Sequence, residues 1–156
     1  VSNATIELDA DFPYQDYVLI GGDQSPGRCK VQNIHTPRPW DIRKGYAQTG
    51  ATVVPQGDDL GTFELRFDLW LPSQVPVWYA FAAKYFDKSM RLIPGTNIPK
   101  ALSILHPQLS APPVRITACV VTDATGLLEE EDDLGGYYAI VSCLQYRRPK
   151  PALSAP

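Results

Sequence analysis

Histidine, methionine and cysteine are scarce in this chain, with two, one and three residues among 156. His35 and His106 are far apart and in no ligand spacing. Metal centres and histidine-based catalysts need several convergent groups, so neither is expected. Cys29, Cys119 and Cys143 form no CxxC pair. Cys119 and Cys143 fall inside apolar strand patterns, where buried reduced thiols are the default, although one bridge stays open. No apolar run approaches the ~20 residues needed to cross a membrane. The formal net charge of −3 offers no positive field for a polyanion. A G-x-S-x-G elbow and a P-loop are both missing, and Gly21-Gly22 with Gly27 does not match a dinucleotide fingerprint. The stretch Val1–Glu7 has neither the basic nor the apolar region of a secretory leader. These absences predict a protein that is no enzyme, holds no cofactor or metal, and binds neither nucleic acid nor membrane.

Turn formers are plentiful, with fifteen prolines and eleven glycines. They disfavour long helices and favour many turns and extended arms. A hydrophobic fraction of 44% and a charged fraction of 20% describe a globular chain. Its length fits one domain, able to bury roughly 70% of the surface of the unfolded chain. The domain is expected over 1–148, with a possible N-terminal arm at 1–15 and a Pro-rich arm at 149–156.

Strand patterns dominate. Thr62–Trp70 alternates strictly, with Phe63, Leu65, Phe67 and Leu69 on one face and Glu64, Arg66 and Asp68 on the other. Shorter candidates are Asp16–Ile20, stopped by Gly21-Gly22 and the turn Ser25-Pro26-Gly27, and Arg28–His35. Val114–Thr122 and Gly136–Tyr146 are rich in β-branched residues and predict an antiparallel hairpin with a long acidic tip. Ala101–Leu105 is apolar and of ambiguous class. One helix is expected around 74–86, with Ser73 as N-cap and Pro76 in the first turn. Its buried face would carry Trp78, Phe81, Ala82 and Tyr85. Asp87–Pro99 is expected as a loop, and Thr5-Ile6-Glu7-Leu8-Asp9 as either a short edge strand or an arm that orders on a neighbour. The fold class that follows is β-rich α+β: a twisted, mostly antiparallel sheet or partly closed barrel, one short helix, and extended termini.

The segment with the most unusual chemistry is Pro37–Val54. Pro37 and Pro39 fix φ and withhold donors, and Gly45 and Gly50 permit positive φ, so an ordered loop followed by a strand is expected. Arg38, Trp40, Arg43, Lys44 and Tyr46 are the candidate docking residues of this connector. After Pro149 the chain cannot continue a paired central strand, so Arg147, Arg148, Lys150 and Pro151 are assigned to a polyproline-like arm, either frayed or laid along a neighbouring subunit. Arginine suits docking because its planar fork pairs bidentately with carboxylates. The acidic run Glu129–Asp133 lacks an EF-hand spacing and is expected as a solvated loop tip. Trp70 and Trp78 sit in patterns that bury them, which favours core or interface over a sugar-stacking platform.

The order of Gly21-Gly22-Asp23-Gln24-Ser25-Pro26-Gly27, then Pro37-Arg38-Pro39-Trp40-Asp41-Ile42-Arg43-Lys44-Gly45-Tyr46, then Thr49-Gly50-Ala51-Thr52-Val53 resembles baseplate proteins of contractile-tailed phages. The resemblance continues through Phe63–Trp70, His106-Pro107 and Gln145–Pro151, and departs from the pattern at Ala47-Gln48 and Pro55. It implies a structural virion protein, made in the host cytoplasm and placed in the tail baseplate. Such a protein would join tail tube or hub to sheath or wedge proteins, with several copies around the tail axis, six being expected. The alternative is a carbohydrate-binding module that recognises the host receptor.

Overall fold

The computed structural model describes residues 15–45, 49–57, 59–130 and 135–148. Residues 1–14 of the possible N-terminal arm and the whole arm at 149–156, with Lys150 and Pro151, lie outside these residues, as do Tyr46 and Glu131–Asp133.

The strands are β1 (Leu19–Ile20), β2 (Asp23–Gln24), β3 (Arg28–His35), β4 (Trp40–Arg43), β5 (Thr52–Pro55), β6 (Thr62–Leu69), β7 (Leu102–Leu105), β8 (Ala118–Ala124), β9 (Leu128–Glu129) and β10 (Tyr137–Gln145). Helix α1 spans Gln74–Tyr85, and the single turn α2 spans Pro107–Ser110. Eight strands form one antiparallel sheet in the order β2-β1-β7-β8-β10-β6-β3, with β9 also paired to β10. The sheet is open, so of the two predicted forms the twisted antiparallel sheet holds and the partly closed barrel does not. β4 and β5 form a separate two-stranded sheet.

β6 lies between β10 and β3 and reads as its sequence demands. Phe63, Leu65, Phe67 and Leu69 are all buried, while Glu64, Arg66 and Asp68 are only half-buried. Opposite them on the same face are Cys29 and Val31 of β3 and Ala139, Val141 and Cys143 of β10, all buried. Helix α1 covers this face. Phe67 meets Trp78, Phe81 and Phe86 with ring centroids 6.5, 6.3 and 5.7 Å away, edge-on or tilted as aromatic quadrupoles prefer. Trp78 and Phe81 are buried, and Ala82 and Tyr85 are packed on the core, as the i, i+3, i+4, i+7 spacing predicts. Ser73 sits at the N-cap position but makes no capping bond. The Gln74 side chain takes over the chain entry instead, its Oε1 accepting from the backbone N–H groups of Trp70 at 2.9 Å and Leu71 at 3.0 Å.

Other boundaries move for local reasons. β3 carries an irregularity between Gln32 and His35, where Asn33 adopts φ 52° and donates to Glu64 Oε1 at 2.6 Å. That extra residue breaks the expected alternation and lets Ile34 pack on the core. The strand expected from Val114 starts only at Ala118. Arg115 has φ 51°, and the Ile116 N–H donates to the Leu109 carbonyl rather than to a strand. The ambiguous apolar segment is a strand, and the 87–99 loop contains a 3-10 turn at Lys88–Met90.

The turn Ser25-Pro26-Gly27 admits no side chain at its last position. Gly27 has φ 67°, and a Cβ there would lie 2.5 Å from both the Asp68 carbonyl oxygen and Leu69 Cδ2. Gly27→Ala is therefore expected to destabilise by more than about 1 kcal/mol, read as a lower midpoint in urea unfolding.

His106 is a structural residue. It is buried, its Nδ1 accepts from the Gln108 backbone N–H at 3.1 Å at the start of α2, and its Nε2 lies 2.9 Å from the Gln15 carbonyl oxygen. Both contacts are satisfied by the neutral ring protonated on Nε2. Burial holds its pKa below the ordinary 6.5, outweighing the opposing effect of the Gln15 carbonyl. The unfolded state therefore takes up a proton more readily than the folded one. The stabilisation is complete above about pH 6.5 and is lost as pH falls from there through the depressed folded value. His106→Ala should cost about 1–3 kcal/mol at neutral pH, and the acid-side slope across that window should flatten in a pH series of unfolding curves.

Candidate interaction site

The connector is a β-hairpin, where the sequence suggested a loop before its strand. Trp40 pairs with Pro55, Asp41 with Val54, Ile42 with Val53 and Arg43 with Thr52. The fixed φ of a proline is compatible with extended backbone, and a two-stranded ribbon leaves outer edges where a missing donor costs nothing. Pro55 thus closes β5 as its last residue, and the Gln56 N–H donates to the Pro39 carbonyl at 2.9 Å to close the base.

Residues directly opposite across a ladder share a face. Trp40, Ile42, Val53 and Pro55 therefore make one apolar face, with Trp40, Ile42 and Val53 exposed by 56%, 67% and 51%. Arg43 and Asp41 share the other, joined Nε to Oδ2 at 2.6 Å. This pair is solvent-exposed and worth no more than about 1 kcal/mol. Arg43 is thus committed in part to its own hairpin, and Lys44 is exposed just beyond the strand.

The structure brings two of the candidate groups together at the base of the hairpin. Arg38 donates from Nη2 to the Pro113 carbonyl at 3.2 Å, and Arg147 donates from Nη2 to the Asp59 carbonyl at 3.2 Å. Both line one cleft of about 230 Å³, together with Arg115 and Asp59. Arg148 is exposed next to it. Gln145 ties this end of the sheet, donating from its N–H to the Gly61 carbonyl at 2.7 Å and accepting from the Gly61 N–H on Oε1 at 3.0 Å. Tyr46, Lys150 and Pro151 fall outside the described residues and are not placed. Sequence reasoning passed over Ile42, Val53, Asp59 and Arg115. The Trp-x-Ile alternation held the signal for Ile42, whereas Arg115 joins only through the turn at Pro113.

On the outward face of the sheet Arg66 pairs with Asp68 Oδ1 at 3.1 Å and Glu130 Oε1 at 2.7 Å, and lies 4.5 Å from the Tyr138 ring centroid. The Asp68 contact first, and Glu130 after it, hold the guanidinium pKa above its ordinary value. The start of the acidic run is accordingly tied down rather than a free tip: Glu129 pairs with Tyr137, and Glu130 closes on Arg66. Among the described residues no cluster of His, Cys, Asp and Glu is placed to hold a metal ion, and no helix is long and apolar enough to cross a membrane. The three thiols are buried and free. Burial pushes the Cys29 thiol pKa well up, and a thiol hydrogen bond with Cys119, followed by burial, raises that of Cys143.

Trp70 departs from its expected burial. It follows the last residue of β6 and is 57% exposed, with Leu71, Val77 and Tyr79 exposed near it around the start of α1. The same alternation that turns Leu69 inward turns the next residue to the opposite face.

No protein-family profile matches the sequence, and no curated protein matches it. Among solved structures the chain is similar to the sheath/tube terminator of the PVC extracellular contractile injection system in its extended state. That match has a TM-score of 0.53 and 10% identity over 84% of this chain and 89% of that one. The sheath-tube complex of the same system gives a TM-score of 0.46 at 12% identity over 94% of this chain and 95% of that one. At such identities the first likeness is one of fold.

Proposed function

We propose that this protein is a structural component of a contractile tail baseplate, joining tail tube or hub to sheath or wedge proteins through several protein–protein interfaces. The observation that carries the reading is the β4–β5 hairpin. It forms its own small sheet and presents Trp40, Ile42 and Val53 to solvent. Exposed apolar patches of this kind mark interaction sites on soluble proteins. The fold shared with a sheath/tube terminator supports the same reading, as does the baseplate resemblance of the sequence. Arg38, Arg147 and Arg148 at the hairpin base would supply the polar rim around an apolar anchor. Lys44 and the positions of Tyr46, Lys150 and Pro151 would extend it. The proposed role is mechanical: multiple modest interfaces around the tail axis, six copies being expected, hold the assembly until engagement shifts the balance.

A cryo-EM reconstruction of the intact tail tip tests this. Density for the chain as a symmetric ring between tube and sheath, hairpin buried, is the expected result. The carbohydrate-binding alternative draws on one observation, the exposed rings of Trp70 and Tyr79. Finding the chain at the tail periphery with those rings facing solvent would favour it and overturn the joining role.

A further inference from the structure

The ladder between β7 and β8 is short. It pairs Leu102 with Cys119 and Ser103 with Ala118, and there it stops. β8 continues through Val120, Val121, Thr122, Asp123 and Ala124, with β10 on one side and, among the described residues, no strand on the other. Five residues of a sheet edge with unpaired backbone groups are a template for a further strand. Alongside this edge runs an open groove of about 1060 Å³, lined by Tyr85, Phe86, Met90, Leu92 and Val121. Its rim carries three cations, Lys88, Arg91 and Lys100, against two carboxylates, Asp87 and Asp123. Asp87 accepts a bond from the Ser89 hydroxyl and feels the charge of Lys88, while none of the three cations makes a direct ion pair with a carboxylate among the described residues.

We infer that the β8 edge and its groove receive the chain's own N-terminal segment, Thr5-Ile6-Glu7-Leu8-Asp9, as an added antiparallel strand. Three features of the segment fit. It alternates, so one face offers Ile6 and Leu8 to an apolar groove while Thr5, Glu7 and Asp9 face away. Residues 1–14 contain Glu7, Asp9 and Asp11 and no lysine or arginine, which complements the basic rim. Its length also fits. The described chain begins at Gln15, whose carbonyl is 2.9 Å from His106 Nε2 at the far end of β7. From His106 back along β7 to Leu102 is about 13 Å at ~3.3 Å per residue. Residues 10–14 span up to about 17 Å when extended, enough to bring 5–9 alongside 120–124. The Pro-rich C-terminal segment fits poorly, because its prolines cannot donate to a ladder and its Arg and Lys residues match the sign of the rim.

Hydrogen–deuterium exchange on the full chain tests this, comparing it with a variant carrying Ile6→Asp and Leu8→Asp. Both changes lie in the proposed strand. The amides of 120–124 are expected to exchange at least about tenfold more slowly in the unaltered chain than in the variant, at every protein concentration and with a monomeric mass. Equal exchange in the two chains would overturn the inference. Protection that appears only as concentration rises, together with a dimeric mass, would assign the edge to the arm of a second copy and overturn the assignment within one chain.

Discussion

Replacing Trp40 and Ile42 together by aspartate is expected to leave the domain folded and to remove it from the assembled tail. Both side chains sit on one face of a ribbon that pairs only with itself, more than half exposed. They add little to the core, so thermal and urea unfolding should stay within about 0.5 kcal/mol of the unaltered chain, as surface changes usually do. If this face is the anchor of an interface, the cost falls on association. Tryptophan is among the commonest hot-spot residues, and losing one such anchor costs about 2 kcal/mol or more, a weakening of at least about 30-fold. The two carboxylates would add burial of unpaired charge at the same place. Cosedimentation of the purified chain with tail particles lacking it measures this directly. Unchanged cosedimentation of the double variant would remove the hairpin from the proposed interface. Arg43→Ala alone should have a much smaller effect, because Arg43 already spends its Nε on Asp41 within the hairpin.

The largest effect on stability should come from Phe67→Ala, a loss of about 3–5 kcal/mol. Phe67 is fully buried at the centre of β6, and Trp78, Phe81 and Phe86 all turn their rings towards it. Truncation opens a cavity where, among the described residues, α1 and the sheet meet ring to ring. A single domain of this size has about 5–15 kcal/mol in total, so the variant should lie near the edge of folding. Equilibrium urea unfolding followed by tryptophan fluorescence reads the change. A cycle with Phe86→Ala should show coupling of about 0.5–1.5 kcal/mol between the two rings. A loss under about 1 kcal/mol for Phe67→Ala would mean that the helix is not held by this cluster.

The two results separate the roles of the two sheets. One change acts on the core and leaves the interaction face in place. The other acts on that face and leaves the core intact. The domain can tolerate a solvent-facing apolar ribbon because its stability is secured by the larger sheet and α1.

Much of that larger sheet was legible in the chain itself. Strict alternation from Phe63 to Leu69 dictates a strand buried on one face, whatever its neighbours, because successive side chains must point to opposite sides. The spacing of Trp78, Phe81, Ala82 and Tyr85 dictates a helix with one inward stripe for the same kind of reason. Local geometry also marks Gly27, where a turn needs positive φ, and the histidine ahead of Pro107. What periodicity cannot carry is closure and partnership. Whether the sheet curls into a barrel and why β8 starts at Ala118 both depend on where the chain is sent next. The hairpin shows the limit most clearly. Pro37, Pro39 and Pro55 read as breaks because proline withholds a donor, and only tertiary structure decided that these positions lie where no donor is wanted. The meeting of Arg38, Arg115 and Arg147 at one cleft was likewise invisible. Those residues are brought together by the packing of segments far apart in the chain, and no pattern within any one segment encodes that distance.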